Sequence, residues 1–176
     1  MNNMEQNNKE VLLRVENLQQ YFKMGRRELK AVDKVNNEQK LVLYKKIKEY
    51  FGNTLKDKKI AIWGLAFKPE TDDMRESPAL VLIGELLQEG CKITVYDPIA
   101  MNECKKRIGD AVIYAKDLYE SVDEADAILH ITEWKEFRMP NWDIIKKLMK
   151  QNPVLFDGRN VFNPTDLKGI KYFKIG

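Results

Sequence analysis

Four apolar residues in a row, Ile60-Ala61-Ile62-Trp63, follow Lys58-Lys59 and stop at Gly64. A strand with one wet face alternates polar and apolar residues. A continuous run fits a strand, Lys59 to Trp63, that is covered on both faces in a parallel sheet. After Gly64 comes a charged loop through Lys68, Asp72, Asp73 and Arg75, and then Ser77-Pro78 ahead of the apolar run Ala79–Ile83. Serine suits a helix N-cap and proline the first helical position. The loop therefore joins the carboxyl end of a strand to a helix N-terminus. Open α/β sheets bind anions there, because free backbone N–H groups and the helix dipole point at the ligand. Lys68 and Arg75 add two cations. The alternative reading of the same residues is a solvated charged turn.

The rest of the chain repeats the alternation. The spacing predicts a helix from Pro78 to Gln88, ended by Gly90, and a strand Lys92–Tyr96 broken by Asp97-Pro98. A polar helix around Asn102–Arg107, a short strand near Ala111–Tyr114 and a helix around Asp117–Val122 follow. Then come a strand Ala127–Ile131, a helix across Trp142–Lys150, a buried strand Pro153–Phe156 and an edge strand Lys171–Ile175. This pattern is that of an α/β fold, a Rossmann-like, doubly wound, mostly parallel sheet with flanking helices and right-handed crossovers. Apolar residues Leu41, Leu43, Tyr44, Ile47 and Phe51 at helical spacing predict a preceding helix within Val35–Phe51, stopped by Gly52, with a packing role against the sheet. Residues 58–176 are thus expected to form the sheet domain. In that arrangement the loops holding Phe67-Lys68, Arg75 and Arg159 share one carboxyl edge.

At 176 residues with 44% hydrophobic content, the chain can bury roughly 70% of its unfolded surface. The 30 basic and 27 acidic residues are interspersed and leave a net charge of +3. That balance argues against nucleic acid or an anionic membrane as the main partner. No apolar run approaches a membrane span and no signal-peptide core is present, so a cytoplasmic location is expected. Cys91 and Cys104 lack metal-ligand spacing and read as structural thiols, so no metal site is expected. His130, the only histidine, lies in an apolar run and reads as a core or strand-end residue. Asp97 occupies the place of a ribose-binding acid, but it follows Gly64 by more than the ~20 residues of a dinucleotide fingerprint, and Gly64 lacks two partner glycines. A strand-end turn suits Asp97 better.

Gly64-Leu65-Ala66-Phe67-Lys68-Pro69, followed by Thr71-Asp72-Asp73-Met74-Arg75-Glu76-Ser77, resembles the signature of the C-terminal, UDP-sugar-binding domain of the UDP-glucose/GDP-mannose dehydrogenases. Tyr96-Asp97-Pro98, Thr132-Glu133-Trp134-Lys135-Glu136-Phe137 and Phe156-Asp157-Gly158-Arg159 agree with it, and the Thr-Glu-Trp segment favours the UDP-glucose 6-dehydrogenase branch. The resemblance runs from about Ala31 to the C-terminus, and it implies that residues 31–57 form a helical connector ahead of the domain. It implies that Phe67, Lys68 and Arg159 contact UDP-glucose or a related UDP-sugar, and that Arg75 reaches the phosphates of the cofactor NAD. Each has a plainer role available: Phe67 in a core, Lys68 on a surface loop, Arg75 as partner of Asp72 or Asp73, and Arg159 in a turn. Enzymes of this family oxidise UDP-glucose to UDP-glucuronate with two NAD⁺ through a cysteine thiohemiacetal.

Neither cysteine here matches that family's catalytic segment, and no G-x-G-x-x-G is present. No catalytic residue is therefore assigned, and the chain is expected to be inactive without an NAD-binding half. Two readings stay open: a UDP-sugar-binding domain of a UDP-glucose 6-dehydrogenase, or a non-enzymatic remnant or assembly module that docks with a separately encoded N-terminal half. A homodimer is a further possible partner state. Residues 1–9 are polar and amide-rich and are expected to be disordered. Residues 11–33 resemble the first strands of peptide-importer ABC-transporter ATPases, yet no phosphate loop of the type G-x-x-x-x-G-K-[ST] follows. Residues 1–30 are accordingly expected to be a foreign or disordered extension joined near Ala31-Val32-Asp33.

Overall fold

The computed structural model describes residues 21–24, 27–30, 40–167 and 169–175. The chain divides into two compact units between Asn37 and Glu38. In the first, strands β1 (Tyr21–Met24) and β2 (Arg27–Lys30) pair as an antiparallel hairpin. The disorder expected for residues 1–9, the whole segment 11–20, and the join at 31–33 lie outside the described residues.

The second unit is built on six strands: β3 (Lys59–Trp63), β4 (Lys92–Tyr96), β5 (Ile113–Tyr114), β6 (Ala127–His130), β7 (Val154–Asp157) and β8 (Lys171–Lys174). Their order is β5-β4-β3-β6-β7-β8, and every neighbouring pair is parallel. The sheet is thus wholly, not mostly, parallel. It winds outward from β3 to β5, then restarts on the other side of β3, so the winding reverses between β3 and β6. Ligands of open α/β sheets bind beyond the strand ends at that reversal.

Both faces of the sheet are covered, which explains the continuous apolar runs. Strand side chains alternate between faces. Ile60 and Ile62 of β3, with Leu129 and Phe156, enter one core, whereas Ala61 and Trp63, with Ile128 and Leu155, enter the other. Helices α1 (Val42–Tyr50), α2 (Pro78–Gln88) and α3 (Met101–Ile108) supply Ile47, Leu82 and Cys104 to the first core. Helices α4 (Leu118–Ser121), α5 (Lys135–Arg138) and α6 (Trp142–Leu148) supply Leu118, Phe137 and Ile145 to the second.

Of the helix expected within Val35–Phe51, the described residues start at Lys40, which is helical, turn at Leu41 and continue as α1, which packs on the sheet as the spacing suggests. Leu43 and Ile47 are buried, and the Tyr50 ring meets Phe156 and Phe173 edge-on at 5.8 and 5.4 Å. Ser77 caps α2 by accepting the Ala79 N–H, with Pro78 in the first turn. Most element ends fall within two residues of the sequence reading, and three differences are larger. The strand near Ala111 is only Ile113–Tyr114, because Gly109–Ala111 forms a 3₁₀ turn. The one-turn helix α5 and a 3₁₀ turn at Pro164–Leu167 had no periodic signal to announce them.

Candidate functional site

Four loops leave the carboxyl edge of the sheet beside the reversal of winding. They follow β3, β4, β6 and β7, and two buried carboxylates hold them. Asp97, at the end of β4, is 1% exposed and takes five donors. The Leu65 and Ala66 N–H groups reach its Oδ2 at 2.7 and 3.3 Å, and the Trp134 indole N–H reaches the same oxygen at 3.1 Å. The Ile99 and Ala100 N–H groups bind Oδ1 at 2.9 and 2.7 Å. One carboxylate thus joins the loops after β3, β4 and β6. The strand-end reading of Asp97 is the one the structure bears out, since its oxygens are spent on the protein's own N–H groups.

The β3 loop is further fixed to the β6 loop by close backbone approach. Gly64 has φ of +84°, and a Cβ there would lie 2.6 Å from the N, O and Cβ atoms of Thr132. The Thr132 hydroxyl donates to the Ala66 carbonyl, and the Gly64 N–H to the Tyr96 carbonyl at 2.9 Å. Phe67 and Lys68 emerge from this tied base. The Phe67 ring is half exposed (49%), which sets aside its core alternative. Lys68 is exposed and has no ion-pair partner among the described residues.

Asp157 is the second holding point. It ends β7, is fully buried, and accepts the Arg159 N–H at 2.9 Å, the Val161 and Phe162 N–H groups at 2.8 and 3.2 Å, and the Tyr172 hydroxyl at 2.9 Å. Its Oδ1 also lies 2.9 Å from His130 Nδ1. His130 is buried between the Phe137 and Phe162 rings, as its apolar neighbours suggested, and register places it directly beside Asp157. Burial alone would raise the carboxyl pKa of Asp157. The hydrogen bonds from His130, the Arg159 N–H and Tyr172 outweigh it and hold Asp157 well below the usual carboxylate range.

A group whose folded pKa is depressed contributes stability above its unfolded value, near 3.9, and that stability fades as pH falls toward the folded value. Asp157→Asn is therefore expected to lower the thermal midpoint at pH 7. Its deficit relative to the wild type should shrink on acidification below about pH 5. Melting curves from pH 7 to 3 check this, and a constant deficit would contradict it.

Gly158 explains why the turn after β7 needs its smallest residue. A Cβ there would meet the His130 carbonyl at 2.8 Å and Leu43 Cδ1 at 2.9 Å. The next residue, Arg159, is exposed, and its guanidinium has no ion-pair partner among the described residues. The structure thus puts Phe67, Lys68 and Arg159 on one edge. Their loops follow β3 and β7, two strand spacings apart, roughly 10 Å.

Arg75 is placed differently. Its guanidinium donates Nε and Nη2 to the two carboxylate oxygens of Asp73 at 2.9 and 2.8 Å. That hydrogen bonding keeps Asp73 far below the usual carboxylate range. Arg75, Asp73 and Asp72 line an open depression with Glu103 and Arg107 of α3. Neither of the two cysteine thiols is an activated nucleophile. Burial pushes both the Cys91 and the Cys104 thiol up to about 11, whereas reactive cysteines have lowered pKa values. No cluster of metal-ligating side chains occurs among the described residues. No helix among them is long and apolar enough to cross a membrane.

Residues 61–164, more than half of the chain, match the sequence pattern of the UDP-glucose/GDP-mannose dehydrogenase family, UDP binding domain. The chain belongs to this family. It is similar to the UDP-glucose 6-dehydrogenase of Pseudomonas aeruginosa, 38% identical over 153 residues, which are 84% of this chain and 34% of that protein. The UDP-glucose 6-dehydrogenase of Rhizobium meliloti is 40% identical over 144 residues, 81% of this chain and 32% of its own length. Among solved structures, a UDP-glucose dehydrogenase from the archaeon Pyrobaculum islandicum superposes with a TM-score of 0.68 at 29% identity, over 81% of this chain and 31% of that one. The chain spans about a third of the length of these relatives. The matched segment contains every loop of the carboxyl edge described above, so the candidate site lies within it. What sequence reasoning missed is the holding apparatus: the five-donor roles of Asp97 and Asp157, the Trp134 indole and the His130 contact.

Proposed function

We propose that this chain binds a UDP-sugar, UDP-glucose first among them, at the carboxyl edge of its sheet through Phe67, Lys68 and Arg159. In this reading it serves as the substrate-holding part of a UDP-glucose 6-dehydrogenase, the NAD-dependent oxidation of UDP-glucose to UDP-glucuronate. The observation that carries it is the pair of exposed, unpartnered cations on rigidly tied loops of one edge, beside a half-exposed aromatic ring. Lys68 offers a compact charge to the diphosphate, and the Arg159 fork offers several parallel donors. Phe67 offers an apolar face to the base or the sugar.

Arg75 stands for the cofactor side of the same reaction. Its pairing with Asp73 is exposed, so solvent screens it and it is worth little. A phosphate of NAD held by a dinucleotide-binding partner, such as a separately encoded N-terminal half, can take the guanidinium over. Oxidation needs a thiolate to hold the aldehyde intermediate covalently, and neither thiol of this chain is suited to that. The proposal for these residues is therefore binding, with the redox step supplied from outside them.

Isothermal titration of the chain with UDP-glucose, with GDP-mannose as control, tests this. Saturable UDP-glucose binding is expected. It should weaken at least about tenfold in Lys68→Ala and in Arg159→Ala, as loss of a charge-assisted hydrogen bond implies. The absence of heat at millimolar UDP-glucose, where binding is worth only about 4 kcal/mol, would overturn the reading for this chain.

A further inference from the structure

We infer that Asp157 is a positioning residue for ligand binding, which acts by presetting the loop that carries Arg159 and is itself aimed by His130 and Tyr172. This rests on the proposed UDP-sugar reading for its ligand, but the geometry is independent of it. An exposed arginine on a free loop would have to be ordered at the moment of binding, and ordering each rotamer-rich side chain and its loop costs affinity. Here three N–H groups of that loop, those of Arg159, Val161 and Phe162, end on one buried carboxylate.

The carboxylate cannot swing to follow the loop, because two side chains from different strands fix it. His130 Nδ1 holds Oδ1 from β6, and the Tyr172 hydroxyl holds Oδ2 from β8. The His130 ring is wedged against Phe137 and Phe162, with centroids 5.8 and 4.9 Å away. Gly158 then lets the loop leave the strand end directly over the His130 carbonyl, to which its own N–H donates at 2.8 Å. The donors and acceptors of this corner therefore set where Arg159 starts, although none of Asp157, His130 and Tyr172 needs to touch the ligand. Asp97 does the equivalent for the Phe67-Lys68 loop from a separate set of donors, and so provides an internal reference.

The test uses the full 176-residue chain in Asp157→Asn and Tyr172→Phe forms. The second removes one hydroxyl and keeps the ring, so it covers the case in which the first does not fold. Amide hydrogen exchange is read at Arg159, Val161 and Phe162, and at Leu65 and Ala66 as reference. Exchange at the first three is expected to quicken at least about tenfold while the reference amides keep their rates, as local opening requires. UDP titrated into Tyr172→Phe should bind roughly fivefold more weakly than into the wild type, the loss typical of one hydrogen bond. In an Arg159→Ala background the same change should have no further effect, because the residue being positioned is gone.

Unchanged exchange at Arg159, Val161 and Phe162 would overturn the inference, as would equal quickening at Leu65 and Ala66. So would weakening of UDP binding that persists without Arg159. If the wild type binds no UDP, the binding reading fails while the exchange rates still decide whether Asp157 presets the loop.

Discussion

Replacing Asp97 by alanine is expected to destabilise the sheet domain by about 3–5 kcal/mol. For a domain of this size that corresponds to a fall in thermal midpoint of roughly 10–15 °C. The side chain is buried, and its two oxygens satisfy the Leu65, Ala66, Ile99 and Ala100 N–H groups and the Trp134 indole. Alanine leaves all five donors without an acceptor in a site built to be dry. Each such orphan costs about 1–3 kcal/mol, and the sum is reduced where water enters. Asp97→Asn is expected to lose less, since an amide oxygen still accepts while its NH₂ faces donors. Chemical denaturation of the three proteins at neutral pH measures both values. A loss below about 1 kcal/mol for alanine would mean that the loops are held elsewhere. UDP-glucose binding should disappear with the same substitution, because Phe67 and Lys68 begin directly after the two N–H groups that Asp97 holds.

That prediction also shows where a sequence stops being legible. The central strands could be read because they are short apolar runs that the two-sided burial of a parallel sheet demands, and β3, β4 and the helix opened by Ser77-Pro78 fall where the residues put them. The shared edge was legible too, since the alternation of strands and helices puts the loops of Phe67, Lys68 and Arg159 after β3 and β7 at their carboxyl ends. Two features were hidden for physical reasons. Contacts such as Trp134 to Asp97 and His130 to Asp157 span 37 and 27 residues, and only strand order and register bring them together. An aspartate in a turn looks the same in sequence whether it caps its own N–H groups or gathers three loops. The one-turn helix Lys135–Arg138 escaped for a simpler reason, that four residues carry no period. Arg75 stood between a ligand role and an Asp73 pairing, and the structure shows the pairing. The ligand role then depends on a phosphate competing for an exposed guanidinium.

The second large effect is expected at Gly64, and a comparison with Gly52 separates its two causes. Both glycines have positive φ, +84° and +64°. A Cβ at Gly52 meets nothing within 4 Å, whereas at Gly64 it would lie 2.6 Å from Thr132 backbone atoms. Gly52→Ala should therefore cost only the strain of a left-handed backbone, about 1 kcal/mol. Gly64→Ala adds a clash that no side-chain rotation relieves, because the obstructing atoms are backbone. Moving Thr132 away would break its hydroxyl bond to the Ala66 carbonyl and disturb the β3–β6 junction on which the candidate site stands. The total should reach about 3–4 kcal/mol, since overpacking alone costs 1–3. Asparagine sharpens the comparison, because it tolerates the left-handed region far better than alanine. Gly52→Asn should be nearly neutral and Gly64→Asn should remain as damaging as Gly64→Ala. Denaturation midpoints of the four variants decide it. If Asn rescued position 64, backbone conformation alone would account for the glycine, and the close approach of the two strand-end loops would not be what holds Phe67 and Lys68 in place.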